Sequence, residues 1–168
     1  RLEQGFPGKV SGLKDDVADP FLTVDAQAIV EVGRFLRDEP ELRFEILSDL
    51  TALDFPKEEK LQVVYHLYSY TFRHQIVLKV DLSREAACVS TMEGVWKVAN
   101  WFEREVFDLF GVVFDGHSDL RRILLPEDWE GYPLRKDYVE PDDYEYEPTP
   151  HDEVLTKVKE RQAREATP

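Results

Sequence analysis

The sequence predicts an α+β fold: a small, mostly antiparallel sheet that is covered by helices and followed by a long irregular C-terminal extension. Two neighbouring segments, Leu61–Tyr68 and Gln75–Val80, alternate between two faces. This pattern indicates an antiparallel pair of strands with one covered face. Two other stretches, residues 23–39 and 95–109, repeat apolar side chains at helical spacing and would supply the cover.

The composition is that of a globular domain with a large acidic excess. The chain has 168 residues, 42% of them hydrophobic, and a formal net charge of −14. Such a charge argues against binding to nucleic acid or to an anionic membrane surface. The single cysteine, Cys88, excludes internal disulfides and all-cysteine iron–sulfur sites, and we interpret it as a small core residue. No apolar run reaches the roughly 18–20 residues of a membrane span, and no signal-peptide pattern is visible.

The first helix is predicted to follow an irregular lead-in. Residues 1–22 are rich in Gly, Asp and Pro without a period, which is typical of loop. Either Thr23 or Asp25 can cap a helix that runs to about Glu39, and Pro40 would stop it.

The stretch between this helix and the alternating strands has a mixed pattern. Phe44–Leu47 looks like a short strand, whereas helix and strand interpretations compete for residues 48–55. Pro56–Lys60 is a charged turn that leads into the first alternating strand.

Three parts of the chain follow from these patterns. Residues 1–22 are the lead-in segment, and residues 23–138 form the α+β domain. From residue 139 the composition becomes acidic, proline-rich and interleaved with tyrosine. Residues 139–168 are therefore predicted to be an extended acidic tail that has room for a short helix.

The second helix has clear signals at both ends. Ser90 and Glu93 fit a capping box, in which each side chain bonds the backbone N–H of the other residue. Gly111 stands where a left-handed residue would end the helix. The buried stripe consists of five apolar residues at spacings of three and four: Val95, Ala99, Phe102, Val106 and Leu109.

Charged residues at the end of this helix need partners from elsewhere. Glu103, Glu105 and Asp108 crowd its C-terminal half, where the helix macrodipole disfavours anions. We predict an ion-pair cluster that folds the following segment back onto the helix end; the alternative is a solvated charged face. The predicted cations are Arg121, Arg122, Arg135 and Lys136.

The segment after the helix is long and shows little regular structure. Val112–Phe114 could form a short strand, Asp115–Gly116 a turn, and Asp119 could cap a single helical turn over Leu120–Leu124. Long loops in compact domains are usually functional or bound to a partner. Four large side chains here need cover, which a partner surface would provide: Trp129, Tyr132, Leu134 and Tyr138.

The charged motif in this region carries a resemblance to a known family. The order Glu-Arg-Glu, Asp-Leu-Phe-Gly, Gly-His, Asp-Leu-Arg-Arg-Ile-Leu and Pro-Leu-Arg-Lys-Asp-Tyr resembles the 30 kDa, or C-type, subunit of NADH–quinone oxidoreductase (respiratory complex I). One departure is Ser118, where the family usually has proline. We predict that the motif residues, together with Trp129, form the interface with partners: Glu103, Arg104, Glu105, Asp108, Gly111, Gly116, His117, Asp119, Arg121, Arg122, Trp129, Pro133, Leu134, Arg135, Lys136, Asp137 and Tyr138.

The resemblance implies a non-catalytic subunit of the peripheral arm. FMN, the iron–sulfur clusters and quinone would then lie in partner subunits, with no cofactor or metal bound by this chain. The expected partners are the D, B and I type subunits, and any membrane association would occur only through them. The expected location is the cytoplasmic side of the bacterial inner membrane, or the matrix or stromal equivalent.

Two alternatives remain open at the level of sequence. The chain could be the equivalent subunit of a related membrane-bound hydrogenase or of a quinone reductase that uses another electron donor. It could instead be a free-standing metal enzyme that uses Asp115, His117 and Asp119, although such residues are also common in turns and caps. Glu103 and Glu105 are not expected to form an acid–base pair, because they point to different helix faces.

Overall fold

A five-stranded sheet forms the centre of the computed structural model, which describes residues 2–139, except for the side chains of Glu3 and Gln4. The strand order is β1-β2-β5-β4-β3, and only the β2–β5 pair is parallel. The predicted small, mostly antiparallel sheet is therefore confirmed. The strands are β1 (Val10–Lys14), β2 (Phe21–Val24), β3 (Ile46–Phe55), β4 (Lys60–Ser69) and β5 (His74–Ser83).

The β4–β5 pair is the antiparallel hairpin that the alternating patterns predicted. Val63 faces Val80 and Tyr65 faces Leu78, and all four residues belong to the core. On the other side of β4, β3 is one continuous strand in which residues 48–55 extend the predicted short strand. The strand interpretation prevails there because β3 pairs with β4 along almost its whole length.

The sheet is covered by two helices, α2 (Ile29–Asp38) and α3 (Ala99–Phe110), whose apolar stripes join the same core cluster as the strands. A short N-terminal helix, α1 (Leu2–Gly5), precedes β1. The predicted stripe of α3 is confirmed, with Ala99 and Val106 buried. Gly33 of α2 permits close packing: a Cβ there would lie 2.3 Å from the Met92 Cε atom and 3.2 Å from the Trp96 ring.

The N-terminal predictions need two corrections. The lead-in is not all loop, because β1 bonds to β2 at the edge of the sheet. Helix α2 begins at Ile29, later than predicted, since Thr23 belongs to β2 and the Asp25 carboxylate accepts the Gln27 N–H at 2.8 Å in a local turn. The predicted tail, from residue 140 onward, lies outside the described residues.

The region before α3 also differs from the prediction. Ser90 does not cap a helix, because it ends strand β6 (Cys88–Ser90), which pairs in parallel with β7 (Val113–Asp115). Thr91 instead accepts the Glu93 N–H at 3.1 Å, and two turns separate this bond from the start of α3 at Ala99. The prediction of Cys88 as a core residue is wrong: its side chain is exposed on β6.

Candidate functional site: the segment after the last helix

The candidate site is the segment from residue 111 to residue 138, which we call the C-terminal segment. It begins at Gly111, whose φ of +74° and N–H bond to the Phe107 carbonyl (2.9 Å) end α3 as predicted. A Cβ at this position would lie 2.5 Å from the Tyr132 ring. Glycine at this position therefore allows the chain to turn and leaves room for the Tyr132 ring, which packs against it.

The first part of the C-terminal segment is held by hydrogen bonds. The predicted strand is confirmed as β7, and Gly116 follows it with a φ of +79°. Where the family usually has proline, Ser118 donates its N–H (3.1 Å) and its hydroxyl (2.8 Å) to the Glu93 carboxylate. These two bonds fix the loop in place of a proline ring.

His117 is committed to the backbone on both sides of its ring. The buried imidazole accepts the Asp119 N–H at Nδ1 (3.0 Å), which leaves the proton on Nε2 to be donated to the Asn100 carbonyl (3.1 Å). Asp119 itself pairs with Arg121 at 2.8 Å. The structure does not bring Asp115, His117 and Asp119 together as a set of ligands: no three metal-ligating side chains converge in the described part of the chain.

Asp108 is the principal acceptor for the middle of the C-terminal segment. Its side chain is fully buried, and Oδ1 accepts a bond from Arg122 Nη1 at 2.8 Å. Oδ2 accepts the N–H groups of three consecutive residues, Ile123 (3.0 Å), Leu124 (2.7 Å) and Leu125 (2.9 Å). Burial opposes the charged form, but these four donors outweigh it and lower the pKa of Asp108. The predicted helical turn over residues 120–124 is wrong: the N–H groups of Ile123 and Leu124 bond to Asp108 instead.

Two arginines bond mainly to backbone carbonyls within this region. Arg104 of α3 donates to the carbonyls of Arg121 and Arg122, each at 3.2 Å. Arg122 continues the chain of contacts to the carbonyls of Trp129 (3.1 Å) and Gly131 (3.4 Å). Irregular backbone is thereby satisfied by guanidinium groups, which carry several donors in a fixed plane.

The last part of the C-terminal segment returns to the end of α3. Arg135 Nε donates to the Phe110 carbonyl at 2.7 Å, and the Leu134 N–H bonds to the Leu109 carbonyl at 3.2 Å. The Arg135 guanidinium also lies 4.8 Å from the centre of the Tyr132 ring. A cation at the C-terminal end of a helix is favoured by the macrodipole and satisfies carbonyls that lack partners within the helix.

The predicted ion-pair cluster is therefore only partly correct. Of its four cations, Arg122 alone pairs with a carboxylate of α3; Arg121 pairs with Asp119 and Arg135 caps the helix. The Lys136 ammonium lies over the Phe55 ring, 5.8 Å from its centre. The segment does fold back onto the helix end, but chiefly through bonds between side chains and backbone.

Sequence reasoning missed Asp54 and Arg84, which also hold this segment. Asp54 lies in β3 with only 1% of its side chain exposed, and it accepts bonds from the Arg84 guanidinium and from the Lys136 N–H. Arg84 also bonds to the exposed carboxylate of Asp137. A signal was present in the sequence: Asp54 falls in phase with the buried Leu50 and Ala52 of an alternating strand.

The first acidic residue of the motif, Glu103, is buried and accepts from neutral donors rather than from a guanidinium or ammonium group. Glu103 accepts the Met92 N–H at 2.6 Å and the Thr91 hydroxyl at 2.5 Å, while His117 Nε2 lies 4.0 Å away. Burial raises the pKa of Glu103 to about 7, against the opposing effect of these two hydrogen bonds. Glu105 is exposed, which confirms that the two glutamates point to different faces.

The outer face of the C-terminal segment presents apolar side chains. Leu124 is 61% exposed and Leu134 is 52% exposed, although the backbone N–H of each is bonded. Trp129, Tyr132 and Tyr138 are half-buried, and Pro133 lies beside them in the chain. The backbone of the segment is therefore fixed at positions where the leucine side chains remain exposed.

Fold and segment together define an α+β domain that ends in an irregular, internally hydrogen-bonded extension. The chain belongs to the family described as respiratory-chain NADH dehydrogenase, 30 kDa subunit, whose family model matches residues 22–144. It is 47% identical over 138 residues to the C-type subunit of NADH-quinone oxidoreductase from Roseiflexus sp. (strain RS-1), and the match covers 82% of this chain and 79% of that protein. The corresponding protein of Chlorobium phaeobacteroides is 43% identical, with 82% and 84% covered.

Two solved structures share the fold. A chain of the membrane-bound sulfane sulfur reductase, an archaeal respiratory membrane complex, superposes with a TM-score of 0.72 at 25% identity, covering 94% of this chain and 87% of that chain. A trypsin-resistant fragment of Nqo5 gives a TM-score of 0.55 at 27% identity, covering 70% and 91%.

Proposed function

We propose that this chain serves NADH–quinone oxidoreductase as a peripheral-arm scaffold without an active site of its own, and that the C-terminal segment binds neighbouring subunits. Membership of the 30 kDa subunit family supports its place in that enzyme complex. The observation that carries the proposal is the Asp108 site, where one buried carboxylate fixes four donors of the segment while Leu124 faces solvent.

The motif side chains that could perform chemistry are engaged in structural bonds. Asp108 accepts from four donors, and both ring nitrogens of His117 contact backbone groups. Glu103 bonds to Thr91 and Met92 inside the core. These structural bonds support the proposal that FMN, the iron–sulfur centres and quinone are bound by neighbouring subunits. Electron transfer would then be coupled to proton translocation by the complex as a whole.

The proposed neighbours are the D, B and I type subunits. Among residues 2–139, no helix combines the length and the apolar character needed to cross a membrane. The chain would accordingly reach the membrane only through its partners, on the cytoplasmic side of a bacterial inner membrane or its organellar equivalent. The acidic charge of −14 supports neighbours with basic surfaces rather than nucleic acid.

A second candidate is the same role in a related membrane complex with another electron donor, such as a membrane-bound hydrogenase. The similarity to a chain of the sulfane sulfur reductase favours it, because that chain matches 94% of this one in fold. The identity is only 25% there, against 47% to the Roseiflexus protein, so the NADH-linked complex is preferred. The donor oxidised by the purified complex would distinguish the two.

A leucine-to-aspartate substitution tests the proposed interface. Leu134→Asp places a charge on a side chain that is 52% exposed, so the isolated chain should keep its stability. In the complex this charge would be buried without a partner, and incorporation should fall by about tenfold or more. The measurement is the amount of variant chain that co-purifies with the complex from its native membrane, together with the flavin and iron–sulfur spectrum of that complex.

Leu13→Asp is the matched control, because Leu13 is 50% exposed on the edge strand β1. It should assemble normally. Incorporation of Leu134→Asp at the level of the control would contradict the interface. A changed cofactor spectrum in fully assembled complexes would contradict the purely structural role.

A further inference from the structure

Asp54 joins the sheet to the end of the C-terminal segment across 82 residues of sequence. Its Oδ1 accepts from Arg84 Nε at 2.8 Å, and its Oδ2 accepts from Arg84 Nη2 at 3.1 Å and from the Lys136 N–H at 2.8 Å. Arg84 follows β5, so the contact gathers two strands and the segment at one point. Arg84 reaches further to Asp137, whose side chain is 61% exposed.

A carboxylate in this position needs all of its donors. Asp54 is buried, and an ionised group removed from water is tolerated only where charge-assisted bonds replace its hydration. The two-pronged guanidinium and the backbone N–H provide that replacement, and they lower the pKa of Asp54, with the bond from Arg84 as the largest cause. The Lys136 N–H is therefore one of the donors that make the burial of the Asp54 carboxylate possible.

The two buried aspartates bond to different parts of the C-terminal segment. Asp108 fixes residues 122–125, and Asp54 fixes residue 136. Leu134 lies between them, two residues before the Asp54 contact. Its own N–H is bonded to the end of α3. The position of this exposed leucine therefore depends on both the helix and the sheet.

We propose that Asp54 and Arg84 are positioning residues for partner binding, because they clamp residues 136 and 137 and thereby hold the exposed face around Leu134 in its binding geometry. This inference rests on the proposed function of the C-terminal segment. It assigns an assembly role to two residues that lie outside the charged motif. Preorganisation of this kind improves binding by reducing the entropy that is lost on association.

Asp54→Ala in the full chain tests the clamp with two measurements. Hydrogen exchange of the Lys136 amide should become faster by about tenfold or more, the effect of losing a bond to a charged acceptor. Amides of β4 should keep their protection, which shows that the sheet is intact. Incorporation into the complex should fall by about tenfold, because the binding face is no longer held in place.

The control is Asp81→Ala, which removes a carboxylate that bonds to Lys60 and Gln62 and makes no contact with the segment. It should change neither measurement. If Asp54→Ala also exposes the β4 amides, Asp54→Asn decides the question, since its neutral side chain keeps the shape but leaves one acceptor oxygen where the carboxylate has two. It should give smaller changes, about threefold, in the same two measurements.

Three results would overturn the proposal in distinguishable ways. Unchanged exchange at Lys136 would show that Asp54 does not clamp the segment. Faster exchange with normal assembly, while Leu134→Asp fails to assemble, would remove the positioning role and leave the proposed function standing. Normal assembly of both variants would overturn the proposed function and this inference with it.

Discussion

At the scale of single residues, the same chemical group has two different environments. The carboxylates that the described part of the chain buries are Asp54, Glu103 and Asp108. Both aspartates are bonded to arginine and to backbone N–H groups, and their pKa values are lowered. Glu103 has only a hydroxyl and one N–H as donors, and burial raises its pKa to about 7. The two aspartates stabilise the fold in their charged form, whereas Glu103 favours its protonated form.

This difference predicts a pH dependence that Glu103→Gln should remove. The folded chain holds the Glu103 proton up to about pH 7, whereas an ordinary glutamate loses it near 4.5. The stability that this proton contributes is therefore fully present below the unfolded pKa of 4.5, and it is lost as the pH rises through the folded pKa of about 7. The free energy of unfolding of the wild type, relative to Glu103→Gln, should fall by up to roughly 3 kcal/mol between pH 4 and pH 8.

Urea unfolding of both chains at a series of pH values measures this difference. Glutamine keeps the shape of the side chain and an acceptor for the Met92 N–H, so the two chains should be similar in stability at the acidic end. The groups around Glu103 that could shift the midpoint are Thr91, Glu93, His117 and Tyr65. A difference that does not change with pH would show that Glu103 has the same pKa in the folded and unfolded chains, which would contradict the effect of its burial.

At the scale of elements, local patterns predicted what local interactions determine. The alternation of Leu61–Tyr68 correctly predicted β4. The apolar stripe of residues 95–109 predicted α3, and Gly111 predicted where that helix ends. Each of these features depends on interactions between residues that are close in sequence. No side chain caps α3, whose N-cap residue is Val98, and the predicted cap, Ser90, pairs instead with Asp115 of β7, more than twenty residues away. The sequence pattern did not predict the edge strand β1 either, because its strand conformation depends on pairing with β2.

The candidate site shows the same division. The charged motif identified which residues matter around the end of α3, but charge alone did not reveal that their partners are mostly backbone groups. Arg104 and Arg135 bond to carbonyls, whose positions depend on the path of an irregular segment. The alternation of β3 places Asp54 on the buried face, but its partners Arg84 and Lys136 lie 30 and 82 residues away in the sequence. The sequence around Asp54 and the sequence around Lys136 contain no pattern that predicts their contact.

The end of α3 provides a prediction at this scale. Gly111→Ala should destabilise the chain by at least about 1–2 kcal/mol, the cost of a left-handed conformation in an L-residue. A further loss should come from the Tyr132 ring, which lies 2.5 Å from the new methyl group and would have to move. The control is Gly94→Ala in the turn before α3, where a Cβ would have no neighbour within 4 Å. Thermal unfolding measures both; equal midpoints would contradict the role of Gly111 as an enforced cap.

At the scale of the whole molecule, the sheet and the C-terminal segment are stabilised by different interactions. Residues of β4 are mostly buried, and the strand is paired on both sides, to β3 and to β5. From Asp115 to Tyr138 every residue keeps some exposed surface, although the imidazole of His117 is buried. The segment is held by hydrogen bonds to Asp108, Asp54 and the end of α3, which fix its backbone without burying much apolar surface.

Hydrogen exchange in low denaturant should therefore separate two levels of stability in the isolated chain. The amides of β4 should exchange only through global unfolding, with an opening free energy that falls steeply as denaturant is added. The amides of Leu124 and Lys136 should open locally at a lower free energy and with little denaturant dependence, because little apolar surface is exposed when the segment detaches. Equal opening free energies and slopes for both groups would mean that segment and sheet unfold as one unit. In the assembled complex the segment amides should become at least as protected as those of β4, because a partner that covers Leu124 and Leu134 supplies the apolar burial that the isolated segment lacks.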